Sequence, residues 1–314
     1  MSNSKFEIVE KIFQNNPNCI ISLGKINNGD KFWDVYSLDK KVTNDEVIFN
    51  YEIGSLTKVF TAFNFINLIK RKKVNGETKI DEIISELPSE KNFPSCTELL
   101  EHRSGYGFLT PLTLCDLVKI ASHGGVYQYN PYSENMCASN VLTYLIENKV
   151  PKRKHIYSNF GYAILGYIIS QLEGRNYEEV IVSFLKYNLG LLATTFNDEN
   201  LLVGYHKGKN MGNWSWSNCD NNVGKAAGAL RSNIQDLLKF SSKIVDDPYL
   251  QERPDCIKSL GMIRRERNIW FKVGQTGTHF SVMAIDFDNK TSSVVLMNCL
   301  ARYGVPLAFE LLKS

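Results

Sequence analysis

No run of about 20 apolar residues occurs in this 314-residue chain, so no membrane-spanning helix is expected. Charge of one sign is not in excess either. The 36 basic and 33 acidic residues leave a net +3, and no basic face stands out, so nucleic acid is not an expected partner. There is no C-x-x-C pair. The seven cysteines, at 19, 96, 115, 137, 219, 256 and 299, are odd in number and scattered. That pattern fits reduced thiols in a reducing compartment better than a disulfide framework. The histidines at 102, 123, 155, 206 and 279 have no metal-ligand spacing, so no metal and no other cofactor is expected. No serine stands in G-x-S-x-G, which leaves an α/β-hydrolase elbow unsupported. Residues 1–14 are polar and lack an apolar core of signal-peptide length; with the cysteine pattern, this makes the expected location cytoplasmic.

What the chain does have is an ordinary apolar share, 43%, arranged in two textures. Residues 5–15 have a helical period. Strands are expected at 19–26, 31–38 and 46–53, the first two joined by the hairpin dipeptide Asn28-Gly29. From about residue 79 the period is helical: 79–87, 96–103, 112–122, 134–148, 160–173 and 176–189. Sheet character then returns, with strands at 259–264, 268–274, 279–287 and 292–299 behind a helix at 234–244 that Ser232 or Asn233 caps. A last helix covers 304–313. The expected fold is α+β, an α/β sandwich: an antiparallel β-sheet flanked by helices, plus an all-helical lobe. The sheet domain is discontinuous, 1–78 and 223–314, and the helical domain is 79–222. A cleft between them is the expected ligand site, with 200–222, carrying Trp214 and Trp216, shaping it.

Three motifs carry chemistry. The first is Gly54-Ser55-Leu56-Thr57-Lys58. An apolar run, Val47-Ile48-Phe49 with Tyr51 and Ile53, leads into it. A helix that is apolar on nearly every side follows, from Val59 to Ile69. Ser55 and Lys58 are three residues apart, so on a helix they share a face. A serine hydroxyl needs a base within hydrogen-bond reach, and a lysine serves if burial and nearby positive charge lower its pKa. The same pattern begins at Ser2, Ser22, Ser37 and Ser183, and Ser183 is the serious rival. Ser55 stands apart by its strand-to-helix entry; its plain alternative is a helix cap beside a solvated lysine.

The second motif is Tyr157-Ser158-Asn159, ahead of a helix. In an extended loop Tyr157 and Asn159 project to one side, offering a phenol and an amide to one point. The alternative is a packed aromatic beside a capping residue. The third is Gln275-Thr276-Gly277-Thr278, entering the strand Phe280–Ile285. Its glycine permits close backbone approach, and the Thr278 N–H is placed to meet an oxyanion. The alternative is a plain turn.

In this order the three motifs resemble those of the serine β-lactamase and penicillin-binding protein superfamily. The Tyr-Ser-Asn form is similar to the class C branch with its esterases, DD-peptidases and D-aminopeptidases. Leu99-Leu100-Glu101-His102-Arg103-Ser104-Gly105, Tyr157 to Gly174, and Ala227-Gly228-Ala229-Leu230-Arg231-Ser232 resemble further segments of that family. The resemblance covers roughly residues 18–300. It implies the β-lactamase/transpeptidase fold, a bacterial origin, and a serine hydrolase or acyltransferase acting on a small-molecule ester, amide or peptide. Ser55 would be acylated, Lys58 would take its proton, and Tyr157 would exchange protons with Lys58. Asn159 would hold the substrate amide. The Ser55 and Thr278 N–H groups would form the oxyanion hole, and Gln275, Thr276 and Gly277 would line the docking edge. The family usually has Lys, or His in esterase-like members, where this chain has Gln275. A neutral amide neither holds a substrate carboxylate by charge nor helps lower a neighbouring pKa. The substitution leaves open a slow or inactive binding protein beside the enzyme, as well as a biosynthetic transacylase or peptidase. On strand parity Lys272 faces away from Gln275 and does not replace that cation.

Overall fold

The computed structural model describes residues 3–27, 29–38, 41–42, 48–108, 114–122, 125, 128–132, 136–216, 219–300 and 303–313. In chain order the strands are β1 (Ile21–Asn27), β2 (Asp30–Tyr36), β3 (Lys41–Val42), β4 (Tyr51–Glu52), β5 (Gly204–His206), β6 (Lys209–Gly212), β7 (Arg231–Ser232), β8 (Ile263–Glu266), β9 (Ile269–Gln275), β10 (Phe280–Asp286) and β11 (Thr291–Met297). The α-helices are α1 (Asn3–Asn15), α2 (Thr57–Lys70), α3 (Cys96–Leu100), α4 (Leu114–Ser122), α5 (Ala138–Glu147), α6 (Asn159–Glu173), α7 (Tyr177–Ser183), α8 (Lys225–Gly228), α9 (Ile234–Val245), α10 (Pro248–Glu252) and α11 (Gly304–Lys313). No described helix is long and apolar enough to cross a membrane.

Seven strands form one antiparallel sheet in the order β3-β2-β1-β11-β10-β9-β8. The two ends of the chain therefore build it together. Helix α9 packs against β1 and β11, and α11 against β10 and β11, with α1 beyond α11. Val9, Ile12 and Phe13 of α1 join Leu23, Val282, Val295 and Leu307 in one core; Phe60 of α2 and Phe240 of α9 belong to a second, larger one. Strand β10 is buried along its whole length, so it is apolar nearly without alternation. Helix α2 is buried from Thr57 through Ile66. Its Phe60 ring stacks on Phe240 at 3.8 Å between centroids. The β10–β11 turn is held by the Asp286 carboxylate, which accepts the N–H groups of Asp288 and Asn289 at 3.0 and 3.1 Å. Asn233, not Ser232, caps α9, accepting the Asp236 N–H at 2.9 Å.

Several expectations need correction. Residues 254–260 form a 3-10 turn, so the strand placed at 259–264 starts only at Ile263. The helix placed at 79–87 shrinks to the 3-10 turn Ile80–Glu82. Strand β4 pairs with β7 and not with the main sheet, and residues 43–47 of the expected strand lie outside the described residues. Among the described residues of 79–222 the regular elements are helical except for the β5–β6 hairpin, whose turn residues Lys207 and Gly208 both have positive φ.

The cysteine expectation fails. Cys19 is bonded to Cys299, with Cα atoms 5.6 Å apart, and Cys137 to Cys219, at 6.2 Å. Even spacing along the chain is no guide, because each bond joins segments that only the fold brings together. Cys96 and Cys256 are free; burial pushes the Cys96 thiol up to about 12, leaving it inert. The thiol argument for a reducing compartment therefore falls away. Peptide mapping without reductant is expected to recover the Cys19–Cys299 and Cys137–Cys219 cross-links. Replacing both Cys19 and Cys299 by Ala should cost about 2–5 kcal/mol in denaturant unfolding.

Candidate active site

Ser55 sits in a 3-10 turn, Gly54–Leu56, that runs straight into α2. Two glycines allow this turn to press on the end of β9. Gly54 has φ 49°, and a Cβ there would lie 2.6 Å from the Gln275 backbone. A Cβ on Gly274 would meet the Ile53 carbonyl oxygen at 1.9 Å. Side chains at either position would push Ser55 off the strand edge.

Lys58, in the first turn of α2, is fully buried. Its Nζ donates to Ser55 Oγ at 3.0 Å and to the Ala227 carbonyl at 2.5 Å. Burial, and then the positive charge of Lys272, push its pKa well below the ordinary lysine value. A neutral amine held so close can take the serine proton. Of the rival serines, Ser22 is buried in β1 with its hydroxyl bonded to that of Tyr51 at 2.9 Å, and Ser183 shares its face with an exposed Lys186. Ser2 and Lys40 lie outside the described residues.

Tyr157 comes from the loop ahead of α6. Ser158 caps that helix, accepting the Gly161 N–H at 2.7 Å, so the capping role and the flanking roles belong to different residues of one tripeptide. His102, from the segment after α3, holds the loop in place. Its Nδ1 accepts the Ser158 N–H at 3.1 Å, its carbonyl accepts the Ile156 N–H at 2.9 Å, and its ring lies 4.5 Å from that of Tyr157. Burial lowers the His102 pKa to about 2, so the ring stays neutral. The Lys58 Nζ is 5.1 Å from the Tyr157 ring centre. Burial pushes the phenol up to about 12, and its hydrogen bond with Ser55 pulls the other way. At neutral pH the phenol keeps its proton and is an acid. Asn159 is buried and hydrogen-bonded to Tyr132, while its Oδ1 has no partner among the described residues.

Gln275 ends β9 and is exposed at the mouth of a cavity of about 620 Å³. Ser55, Tyr157, Asn159, Gln275, Thr276 and Gly277 all line it, as do Trp214 and Trp216. Much of the remaining wall is apolar, including Phe108, Ile120, Tyr132 and Ile263. The Thr278 side chain is buried and turned away, its hydroxyl reaching the Gly212 carbonyl at 3.5 Å. His279 is buried behind the edge, where its Nδ1 accepts the Glu52 N–H at 3.3 Å, and burial lowers its pKa to about 3. It contributes no cation.

Two further residues, Glu52 and Lys272, belong to the site. Glu52 is buried and accepts the Thr276 hydroxyl at 2.6 Å and the Trp214 N–H at 2.8 Å, pinning the docking edge from behind. Burial raises its pKa to about 7, against the pull of the Thr276 hydrogen bond and of Arg231. Lys272 was set aside by strand parity. It does face away from Gln275, but the face it shares with Gly274 is the one turned toward Ser55. Its Nζ lies 4.9 Å from the Tyr157 ring centre. The spacing to Gly274, two residues on, was the available signal.

Known proteins give a consistent picture. Over 168 residues the chain is 27% identical to the probable fimbrial assembly protein FimD, serogroup H1, of Dichelobacter nodosus, a match covering 49% of this chain and 38% of that one. Among solved structures, it is similar to the octameric penicillin-binding protein homologue of Pyrococcus abyssi, with TM-score 0.75 and 20% identity over 99% of this chain and 77% of that one. The class C β-lactamase of Rhodobacter sphaeroides gives a TM-score of 0.74 and 15% identity over 99% of both chains. The β-lactamase/D-alanine carboxypeptidase of Yersinia pestis gives 0.69 and 18%, over 99% of this chain and 98% of that one. At these identities the likeness is one of fold. The family model described as Beta-lactamase matches residues 26–308, which is nearly the whole chain, and the protein therefore belongs to the Beta-lactamase family.

Proposed function

We propose that the protein is a serine hydrolase or acyltransferase that works through a covalent acyl-enzyme on Ser55. The observation that carries this is the fully buried Lys58 amine, 3.0 Å from the Ser55 hydroxyl, beside a cavity that Ser55 lines. The cavity draws on both expected domains: Ser55 and Gln275 come from 1–78 and 223–314, and Phe108, Tyr157 and Asn159 from 79–222. We take it as the cleft between them.

In the first half-reaction Ser55 Oγ attacks the carbonyl of an ester or amide while its proton passes to Lys58. The oxyanion is met by the N–H groups of Ser55 and Thr278. Tyr157, protonated at neutral pH, gives its proton to the leaving oxygen or nitrogen and regains one from Lys58. Water or an amine then enters by the reverse proton path and releases the acyl group. Asn159 Oδ1 accepts an N–H from the substrate. The apolar wall suits an uncharged, bulky group beside the scissile bond, and Gln275 offers that group no charge. The two disulfides support an oxidising compartment for this chemistry. Gln275 also favours a second reading, a binding protein that acylates and turns over slowly.

A fluorophosphonate probe followed by intact-protein mass spectrometry is expected to add one label, on Ser55. Ser55→Ala should abolish it; a label that survives would sink the proposal. Turnover of small esters should fall by roughly 10²–10⁴-fold in Lys58→Ala and in Tyr157→Phe. Steady turnover in the wild type separates the enzyme from the slow binder. The acylation rate should fall on the acid side, as Lys58 gains its proton, and that limb should lie far below the ordinary lysine pKa of about 10.4.

A further inference from the structure

We propose that Lys272 is the positioning cation of this site: from the strand face opposite Gln275 its amine lies over the Tyr157 ring and, when charged, keeps the proton off Lys58. The inference rests on Lys58 being the base for Ser55, as proposed above.

The geometry is specific. Lys272, in the middle of β9, is 2% exposed, although a lysine's long side chain could have reached solvent. Its Nζ instead donates to the Gly261 carbonyl at 2.6 Å. That carbonyl is fixed: Gly261 has φ 66°, and a Cβ there would strike the Tyr162 hydroxyl at 2.4 Å. The Tyr162 hydroxyl is in turn tied to the Leu100 carbonyl at 3.1 Å. So anchored, the amine lies 4.9 Å from the Tyr157 ring centre, and the Lys58 amine lies 5.1 Å from the same centre. Two lysine amines thus share one aromatic ring inside a buried site. Among the described residues neither is hydrogen-bonded or ion-paired to a carboxylate.

The titratable groups around the pair are Tyr157, Tyr162 and His102, with His155, Glu101 and Lys258 further out. Burial holds His102 neutral and both phenols protonated. Glu101 is engaged by Arg103 at 2.7 Å and by Ser259 at 3.0 Å. On the neighbouring strand β8, Arg264 and Glu266 point to solvent. No nearby anion therefore offsets two charges at once, and like charges in a buried site disfavour each other. Burial brings Lys272 down to about 7. As pH falls through that value Lys272 takes the proton, and its charge holds Lys58 free into the acid range. Above it Lys272 is neutral and has no electrostatic hold on Lys58. A cation lost at position 275 is in this way recovered three residues earlier, from the other face of the strand.

The test is the pH dependence of Ser55 labelling by a fluorophosphonate in the wild type and in Lys272→Met, which keeps the bulk of the chain and removes the charge. Rates should agree within about twofold above pH 8 and part below pH 7, with the variant slower by about tenfold for each unit its acid limb moves up. A deficit of equal size at every pH would mean lost packing alone and overturns the proposal, as do superimposable profiles. Absence of any Ser55 label in the wild type would instead count against the acyl-enzyme reading. Should Lys272→Met fail to fold, lysine-labelled wild-type protein followed by amine NMR decides. Lys272 is expected to take the first proton on acidification while Lys58 stays neutral; the reverse order overturns the proposal.

Discussion

A lysine amine without water is the constraint from which the rest of this site follows. Burying an ammonium is costly, and the usual escape is to give up its proton. Lys58 has that environment because α2 is enclosed on all sides, so its polar face has nowhere to go except toward Ser55 and the Ala227 carbonyl. Exposure of α2 on even one side would let the lysine reach solvent and keep its charge. The enclosing layers are therefore part of the chemistry. Helix α9 stacks Phe240 on Phe60 from one side, and α6 and α8 close the other.

The sheet contributes by approach instead of by enclosure. The end of β9 and the turn carrying Ser55 come together through Gly54 and Gly274, neither of which has room for a side chain. Behind that contact, Glu52 and Thr276 are linked at 2.6 Å, which ties the segment entering the Ser55 turn to the end of β9. On the proposed reading, hydrogen bonds and close backbone contacts hold the reacting groups and an apolar wall faces the substrate, which suits a reaction that depends on placement.

Much of this was legible in the sequence because it is written in local patterns. The strand-to-helix entry at Ser55, the helix opening at Asn159 and the turn at Gly277 each show in a few consecutive residues. So does helix α9, whose cap Asn233 stands just before it. What escaped depended on partners distant in sequence. Lys272 was placed on its proper face, but which face meets Ser55 is decided by β9 packing on residues 53–56. Glu52 looked like one polar residue in a short strand, and only Thr276 and Trp214 give it a role. The 3-10 turn at 254–260 has the apolar content of a strand, and Pro254 together with the left-handed Gly261 decides otherwise. The cysteine pairs failed to show for the same reason, each being a product of tertiary structure.

The bond between Cys137 and Cys219 ties together two stretches that both front the cavity, since Tyr132 lies just before one cysteine and Trp216 just before the other. Asn130 reinforces the link by donating to the Ser215 carbonyl at 3.0 Å. None of these residues touches the serine–lysine pair through a hydrogen bond. Cross-linked in this way, the wall meets the Ser55–Lys58 pair only indirectly, through the bond of Tyr132 to Asn159 and of the Trp214 N–H to Glu52. On the acyl-enzyme reading proposed above, a lineage carrying this scaffold would change its wall residues within a frame that the disulfide holds closed.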